Sequence, residues 1–475
     1  MKKYIIKAAF AIIGAFTIVS CSDDFLETEF SNTEEQAPIT TVEKLQAFTY
    51  GNYATMRDFN YYGNYFITTS EVRSDEMYSN TRSGYHNAIM NYTMLSTNAQ
   101  STGAWTAMYT AIAKSNIIIN TADNLSWAQS ANPAVVSQKV KHLKGQAYAL
   151  RAQAFFDLLR LFGQKYTQNP AQLGVVLPVK YNPSANMARS SIAQTEAQIE
   201  ADFAKAFEYL DGNSNNSYGD KTVLNDHSVE ALMSRYYLYK GNYPKVRSLV
   251  NNIVASGIWS VVKGESFVSS FTLNNSASNS MFELAVGSAV TIAPSLNDFY
   301  NGEGAYKNVV VKTATYNSYV AQDVRRNAIG ASSGVAGRFL NGKYPALASD
   351  NNIRMVRYEE VLLNGIEAEL NGGSAATALG YYQAIHAERV KIVPYVAPTV
   401  VDINILKAER SRELLGEGFR MWDLLRWGTN LPKNISNGGT NGTVNLGNNL
   451  LAFPIPQSET NVAGTAIVSN PGYDN

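Results

Sequence analysis

Cysteine is nearly absent from this sequence, because Cys21 is the only one in 475 residues. The chain therefore cannot be a small scaffold held together by internal disulfides. Histidine is almost as scarce: His86, His142, His227 and His386 lie far apart, without the i, i+4 spacing of a helical zinc site. We therefore predict no bound metal and no hydrolytic metal centre.

Charge is also sparse and balanced. Charged residues make up 16% of the chain, with 39 basic and 39 acidic side chains, so no basic excess favours a nucleic acid partner. Hydrophobic residues reach 45% and aromatic residues 11%, which is typical of a folded protein with a weakly charged, aromatic surface. The length suits a large core, divided into domains or built from repeats.

Long apolar runs are scarce too, and the clearest one lies at the N-terminus. Residues 8–19 follow Lys2 and Lys3 and are fewer than the ~20 residues that span a membrane. We predict that residues 1–20 are a lipoprotein signal peptide. The run ends in Ile-Val-Ser before Cys21, which we expect to be diacylated. Residues 22–24, Ser-Asp-Asp, are similar to the export signal of surface lipoproteins, and residues 21–39 would form a tether.

Helical periodicity dominates two parts of the chain. Apolar residues recur every three or four positions from Val136 to Leu161, until Gly163 ends the pattern. Further helices are predicted at 42–57, 103–124 and 195–210, and helical hairpins at 226–253 and 361–385. These hairpins resemble tetratricopeptide repeats. We predict a mainly α protein, with a divergent tetratricopeptide-like helical-repeat scaffold at 40–253 and 351–428.

Residues 254–350 differ in composition, because Ser, Asn, Gly and Thr separate short apolar runs at 282–286 and 308–312. This predicts an irregular mixed second lobe with short strands. The tail, residues 429–475, is expected to pack on that lobe. A phosphate-loop pattern at 337–343 lacks the Ser or Thr that holds magnesium, and a calcium-loop pattern at 211–222 lacks its Gly and closing Glu. We predict no cofactor.

Residues 408–428 interleave charges with apolar residues at a helical period, which predicts one helix. Gly416 and Gly418 would each cost about 1 kcal/mol inside a helix, so we expect another part of the chain to pack closely against them. Glu409, Glu413 and Glu417 are spaced by four and need arginines to offset their repulsion. Two interpretations follow: a carboxylate site, or a buried ion-pair clamp that serves structure.

The same stretch resembles the signature of the SusD/RagB family of outer-membrane nutrient-binding lipoproteins. The matching residues are Glu409, Arg410, Glu413, Leu414, Glu417, Gly418, Arg420, Asp423, Arg426 and Trp427. Residues 357–363 and the tail segments 451–457 and 470–473 are similar to further family motifs. The resemblance implies a SusD-like fold and a lipid-anchored protein on the extracellular face of the outer membrane. It also implies delivery of an oligosaccharide or oligopeptide to a SusC/RagA-like TonB-dependent transporter.

Aromatic residues concentrate at 59–92, among Gly, Asn and Ser that break helices and strands. They either pack the loop or form a platform on which a ligand stacks. The resemblance implies stacking aromatics in the loop after the first helix. The candidate ligand-binding residues are Tyr61, Tyr62, Arg82, Tyr85 and Asn87, with Tyr300 and Tyr306 as an opposite wall.

Two other functions remain open at this point. One is a helical-repeat scaffold that binds only proteins, with purely structural aromatics. The other is a surface glycosidase, which needs two carboxylates about 5–10 Å apart in an aromatic cleft. No catalytic residue is predicted, and we expect a binding protein rather than an enzyme.

Overall fold

The long helices follow the predicted periodicity closely. The structure is a computed structural model that describes residues 38–287 and 292–473, so the signal peptide, Cys21 and almost all of the tether lie outside the described residues. Thr41 onwards forms one folded unit. The longer helices are α1 (Val42–Met56), α2 (Tyr65–Val72), α4 (Ala99–Asn120), α5 (Pro133–Phe162), α6 (Ile192–Leu210), α7 (Asp226–Lys240), α8 (Tyr243–Ser256), α12 (Tyr358–Leu370), α13 (Ala375–Arg389), α14 (Ile403–Leu414) and α15 (Arg420–Arg426).

The remaining elements are short. The short helices are α3 (Asn87–Asn91), α9 (Phe267–Ser270), α10 (Leu296–Tyr300), α11 (Thr313–Asn317) and α16 (Gln457–Thr460). The strands are β1 (Met77–Ser79), β2 (Ser280–Leu284), β3 (Val309–Val311), β4 (Ile353–Arg357), β5 (Leu431–Asn434) and β6 (Thr440–Val444). They pair as three antiparallel ladders, β1 with β3, β2 with β4, and β5 with β6. In the described part of the chain, no helix has the length and apolar character needed to cross a bilayer.

Local sequence explains where the helices begin and end. Thr41 caps α1 by accepting a hydrogen bond from the amide of Lys44, and Ser191 forms a capping box with Gln194 at the start of α6. At the turn between α7 and α8, Gly241 adopts φ +75°, a left-handed conformation that suits glycine. The predicted hairpins are therefore present, and the mainly α fold is confirmed.

The predicted aromatic loop contains regular structure that the sequence did not indicate. Helix α2, strand β1 and helix α3 all lie between residues 59 and 92. All eight residues of α2 are buried. A helix that is buried on every face shows no amphipathic period, which is why the segment reads as a loop.

The tail makes contacts that differ from those expected. Among the described residues, its hydrogen bonds run mainly to the first helical part: the amide of Phe453 donates to the carbonyl of Leu161, and the side chain of Asn470 donates to the carbonyl of Phe162. Toward residues 254–350 the tail has a contact at Asn434, which accepts a hydrogen bond from Lys312. The tail thus closes the end of α5, because the last carbonyls of a helix lack partners within it.

The prediction of one continuous helix at 408–428 is wrong. Helix α14 ends at Leu414 and α15 begins at Arg420. Between them, Gly416 and Gly418 have φ +80° and +86°, values that do not occur in a right-handed helix. A Cβ on Gly418 would lie 3.1 Å from the Cα of Ile67 in α2. The close packing inferred from the two glycines is therefore present, in a turn instead of a helix.

Candidate ligand-binding site

Tyr85 and Tyr306, which lie far apart in the sequence, meet in one aromatic cluster. Their ring centroids are 4.8 Å apart in an edge-to-face arrangement, and their hydroxyl oxygens are 3.3 Å apart. Tyr306 also stacks on Phe299 at 4.8 Å, with only 10° between the planes. Phe59 and Tyr65 extend the cluster, because Phe59 contacts Tyr65, Tyr85 and Phe299 edge to face or tilted. We call these five residues the aromatic cluster.

Backbone pairing brings the two halves of the cluster together. Strands β1 and β3 pair with Tyr78 opposite Val310. Just beyond the ladder, the side chain of Asn80 donates a 2.8 Å hydrogen bond to the carbonyl of Lys307. The segment that carries Tyr85 is thereby fixed beside the segment that carries Tyr306.

A buried histidine packs against the inner side of the cluster. His86 is fully buried, with Nε2 3.2 Å from Oδ1 of Asn64 and Nδ1 3.1 Å from the side-chain nitrogen of Asn308. Its ring contacts Phe299 edge to face at 5.0 Å. Burial lowers the pKa of His86 to about 3, so the imidazole is neutral. A neutral ring suits both bonds, since Nε2 can donate to Asn64 while Nδ1 accepts from Asn308.

The outer side of the cluster is accessible and carries polar groups. Tyr85 and Tyr306 are partly exposed, and Arg82 is exposed. The backbone amide of Arg82 donates to Oδ1 of Asn80, and its guanidinium has no ion-pair or hydrogen-bond partner among the described residues. Asn87 is half-buried; its Oδ1 is enclosed and has no partner in the described chain, so this oxygen is not among the accessible groups. The hydrogen bond between the two tyrosines, together with burial, raises the pKa of Tyr306, so the Tyr306 hydroxyl stays protonated near neutral pH.

Three of the sequence-predicted ligand residues are not at this surface. Tyr61 and Tyr62 lie in the core, and their hydroxyls both donate to Asp157. Tyr300 is fully buried and stacks on Tyr344 at 4.6 Å. None of these rings offers a free face, so we do not carry them into the proposed site.

Sequence reasoning missed Phe59, Phe299 and His86. Phe299 is next to the predicted Tyr300, but neighbours in a helix point about 100° apart, so only one of the two reaches the cluster. His86 follows Tyr85 directly, and its role depends on partners more than twenty residues away. For His86 the sequence carries no local signal.

The signature stretch forms a buried network of ion pairs. Glu413 is fully buried and lies 2.9–3.0 Å from guanidinium nitrogens of Arg325, Arg357 and Arg389. Burial alone would raise the pKa of Glu413, but the three arginines hold it well below its usual range. Glu409 pairs with the same Arg325 at 2.6 Å. The arginines that offset the repulsion between Glu409 and Glu413 therefore come from other segments of the chain.

The rest of the signature has similar partners. Asp423 pairs with Arg410 at 3.0 Å and with Arg426 at 2.8 Å. The other signature pairs are Glu417 with Arg357 and Lys343, Arg420 with Asp75 and Glu76, and Trp427 Nε1 donating to Glu367. These pairs are internal to the fold, which favours the ion-pair clamp over a carboxylate site. No group of three or more potential metal ligands occurs in the described ranges.

The chain belongs to the SusD family. Residues 164–473 match the pattern described as "SusD family", and residues 24–238 match one described as "Starch-binding associating with outer membrane". The SusD/RagB resemblance is therefore confirmed. Because the first of these matches covers more than half of the chain, the family assignment does not rest on any single relative.

Three relatives illustrate the similarity. "SusD-like protein P2" of Formosa agariphila is 29% identical over 165 residues, which are 34% of this chain and 30% of that protein. A SusD superfamily protein from Bacteroides thetaiotaomicron has the same fold, with a TM-score of 0.79, 23% identity, and coverage of 91% of this chain and 100% of the other. A laminarin-binding SusD-like protein gives a TM-score of 0.70 at 19% identity, with 91% and 100% coverage.

Proposed function

We propose that this chain is an outer-membrane lipoprotein that binds glycan oligomers at the aromatic cluster and passes them to a SusC/RagA-like TonB-dependent transporter. The observation that carries the proposal is the meeting of Tyr85 and Tyr306, both partly exposed; Arg82, three positions before Tyr85, is exposed and has no guanidinium partner among the described residues. The lipid would be attached at Cys21, outside the described residues, and the protein would stand on the extracellular face.

The chemistry of the cluster suits a sugar chain. A ring face packs against the C–H face of a pyranose, while the tyrosine hydroxyls, Arg82 and Asn87 can hydrogen-bond its hydroxyls. A shallow site of this kind gives modest affinity, because much of the ligand stays hydrated. Modest affinity suits a protein that must release its ligand to a transporter.

Similarity to starch-associated and laminarin-binding proteins supports a glycan over a peptide as the ligand. Capture and delivery need no catalytic group. The carboxylate of Asp298, close to Phe299 in sequence, accepts hydrogen bonds from the amide and hydroxyl of Ser295 and caps α10. This carboxylate serves structure, which supports a binding function over a glycosidase.

Calorimetry tests the proposal directly. The chain from residue 22 is titrated with neutral glucan oligosaccharides, including laminarin and maltodextrin fragments, and with mixed oligopeptides. We expect one of the glucans to bind, and the double variant Arg82→Ala/Tyr85→Ala to lose at least tenfold in affinity while its melting temperature stays nearly unchanged. Tyr181→Ala is the matched control, because Tyr181 is 51% exposed and lies outside the cluster.

Two results would contradict the proposal. Unchanged affinity in the double variant moves the site away from the cluster. Binding of peptides in place of glucans overturns the choice of ligand. Neither result depends on the transporter, whose role is tested separately by co-purification with the lipidated wild-type protein.

A further inference from the structure

One segment of the irregular lobe has an excess of positive charge, although the whole chain is balanced. Between residues 304 and 349, Asp323 is the single acidic residue, and the basic residues are Lys307, Lys312, Arg325, Arg326, Arg338 and Lys343. Asp323 already pairs with Arg325 at 2.7 Å. Arg326 and Arg338 have no ion-pair partner in the described part of the chain. Their charges are therefore not offset within the fold.

These two arginines lie against one ring, that of Tyr316 in α11. The guanidinium carbons of Arg326 and Arg338 are 4.6 Å and 3.5 Å from the centroid of this ring, which is the distance of a cation–π contact. The two charges therefore cannot be farther apart than the sum of these distances. Nε of Arg326 also donates a 2.9 Å hydrogen bond to the hydroxyl of Tyr316. We call these three residues the arginine site.

Two like charges beside one ring repel each other. The ring attracts both guanidinium groups, but it carries no net charge and does not neutralise them. The hydrogen bond from Arg326 and the charge of Arg338 hold the pKa of Tyr316 below its usual value, as expected for a phenol in a positive potential. An oxyanion bound between the arginines would relieve the repulsion.

The donors of the arginine site are accessible from solvent. Tyr316, Arg326 and Arg338 are all partly exposed. The side chain of Arg338 donates no hydrogen bond within the described residues, and that of Arg326 uses only Nε. None of the unpartnered nitrogens of these two side chains is enclosed. They are therefore free to donate to a ligand that arrives from solvent.

Backbone pairing holds the arginine site in place beside β3. The amide of Val311, the last residue of β3, donates a 2.8 Å hydrogen bond to the carbonyl of Arg338. Gly330 and Phe339 exchange two further 2.8 Å hydrogen bonds, which join the turn that carries Arg326 to the segment that carries Arg338. A site that is ordered before it binds loses less entropy on binding.

We propose that Arg326 and Arg338 form an oxyanion site, which takes the sulfate or carboxylate group of an acidic glycan. Guanidinium groups bind such groups through paired N–H donors in a planar fork. The hydroxyl oxygen of Tyr316 accepts from Arg326, so its hydrogen can be donated to the same anion.

The position of the arginine site favours a glycan over a lipid phosphate as the source of the anion. Tyr306 of the aromatic cluster precedes Val311 by five positions, which span at most about 18 Å. The backbone that carries Arg338 is thus within the reach of an oligomer bound at the cluster. That the anion belongs to a glycan rests on the proposed function, whereas the oxyanion site itself does not.

Calorimetry with matched acidic and neutral polymers tests the proposal. The chain from residue 22 is titrated with dextran sulfate, with unsulfated dextran of the same length, and with oligogalacturonate. We expect at least one acidic probe to bind at least tenfold more tightly than dextran. The double variant Arg326→Gln/Arg338→Gln should lose at least tenfold in affinity for that probe.

A matched control separates this site from general attraction between charges. Lys180→Gln/Lys245→Gln removes two exposed charges from other parts of the surface, and it should leave the affinity for the acidic probe nearly unchanged. If the double arginine variant fails to fold, Arg338→Gln alone keeps the hydrogen bond between Arg326 and Tyr316 and should still weaken binding at least threefold.

Three results would overturn the proposal. They are equal affinities for the acidic and neutral probes, an equal loss of affinity in the lysine control, and binding of phosphatidylglycerol vesicles that needs both arginines while neither acidic probe binds. The last result would assign the site to a lipid phosphate. The Arg82→Ala/Tyr85→Ala variant should keep its preference for the acidic probe, so failure of the aromatic cluster to bind neutral glucans is distinguishable from failure of the arginine site.

Discussion

The carboxylate of Glu71, in α2, accepts a 2.8 Å hydrogen bond from the amide of Gly418, in the turn between α14 and α15. The same carboxylate lies 3.3 Å from the amide of Gly416. Glu71 is fully buried, and burial raises its pKa to about 7 in spite of these bonds. Glycine is needed at both positions, because the backbone must turn with positive φ while its amides face one carboxylate.

The first prediction concerns Glu71→Gln. An acid whose pKa rises on folding, here from 4.5 to about 7, binds its proton more tightly in the folded state. Its contribution to stability is therefore largest below pH 4.5 and is lost as pH rises through about 7. Glutamine does not titrate, so the stability of the variant relative to wild type should rise by up to about 3 kcal/mol between pH 4.5 and 8. Urea unfolding at both pH values measures this change, and parallel pH profiles would contradict it.

A second prediction separates backbone strain from crowding. Gly428 has φ +72° and open space around its Cβ position, so Gly428→Ala should cost only the left-handed backbone, about 1–2 kcal/mol. Gly418→Ala adds contact with the backbone of Ile67 and should cost at least about 1 kcal/mol more. Unfolding free energies of both variants give the comparison. Equal losses would show that the turn moves away from α2 without cost.

The third prediction tests the ion-pair clamp. Glu413→Ala leaves three buried arginines short of a partner and should destabilise the fold by about 3–5 kcal/mol. Arg410→Ala removes one of the two arginines that pair with the buried Asp423 and should also destabilise the fold, by less than Glu413→Ala because Arg426 remains. Glu208→Ala is the control, because its pair with Lys205 is exposed and screened by solvent, so its loss should leave the stability nearly unchanged. If the first two variants keep full thermal stability but lose glycan binding, the signature is a ligand site.

The sequence predicted the long helices better than the site. Helix α5 was predicted from Val136 to Leu161 because its first turns bury one face, the apolar period then continues through a helix of 30 residues, and Gly163 ends it. Helix α2 could not be predicted, because its eight residues are all buried and show no amphipathic periodicity. Tyr85 and Tyr306 were singled out for their residue type and surroundings, but their contact depends on the pairing of β1 with β3. Such long-range pairing leaves no local pattern in the sequence.

The fourth prediction is that the burial of His86 makes the stability of the fold sensitive to acid. Its pKa falls from 6.5 to about 3 on folding, so between these pH values the unfolded chain binds a proton at His86 and the folded chain does not. The stabilisation is fully present above pH 6.5 and is lost as pH falls toward 3, with about 2 kcal/mol lost at pH 5. Glu71 changes the stability in the opposite direction over this pH range in both proteins, so urea unfolding at pH 7 and pH 5 must compare wild type with His86→Gln. The loss should be smaller in His86→Gln, and an equal loss in both would contradict the role of His86.

The last prediction concerns the anchor. Cys21→Ala should move the protein from the membrane fraction to the soluble fraction, because the predicted acyl chains attach at this cysteine. Protease treatment of intact cells should cleave the wild-type protein while a periplasmic marker stays whole. Resistance of the wild-type protein under those conditions would contradict display on the outer face.

The bond between Glu71 and Gly418 spans 347 positions of the chain, and this separation has a consequence for the order of folding. During synthesis, Glu71 leaves the ribosome long before its partner amides exist, and a carboxylate is costly to bury without them. Helices α4, α5 and α6 make more local contacts and can form early. Helix α2 cannot be fully buried until residues 416–418 have been synthesised. A chain released before residues 416–418 are made would keep α2 hydrated, with apolar surface exposed to proteases and chaperones.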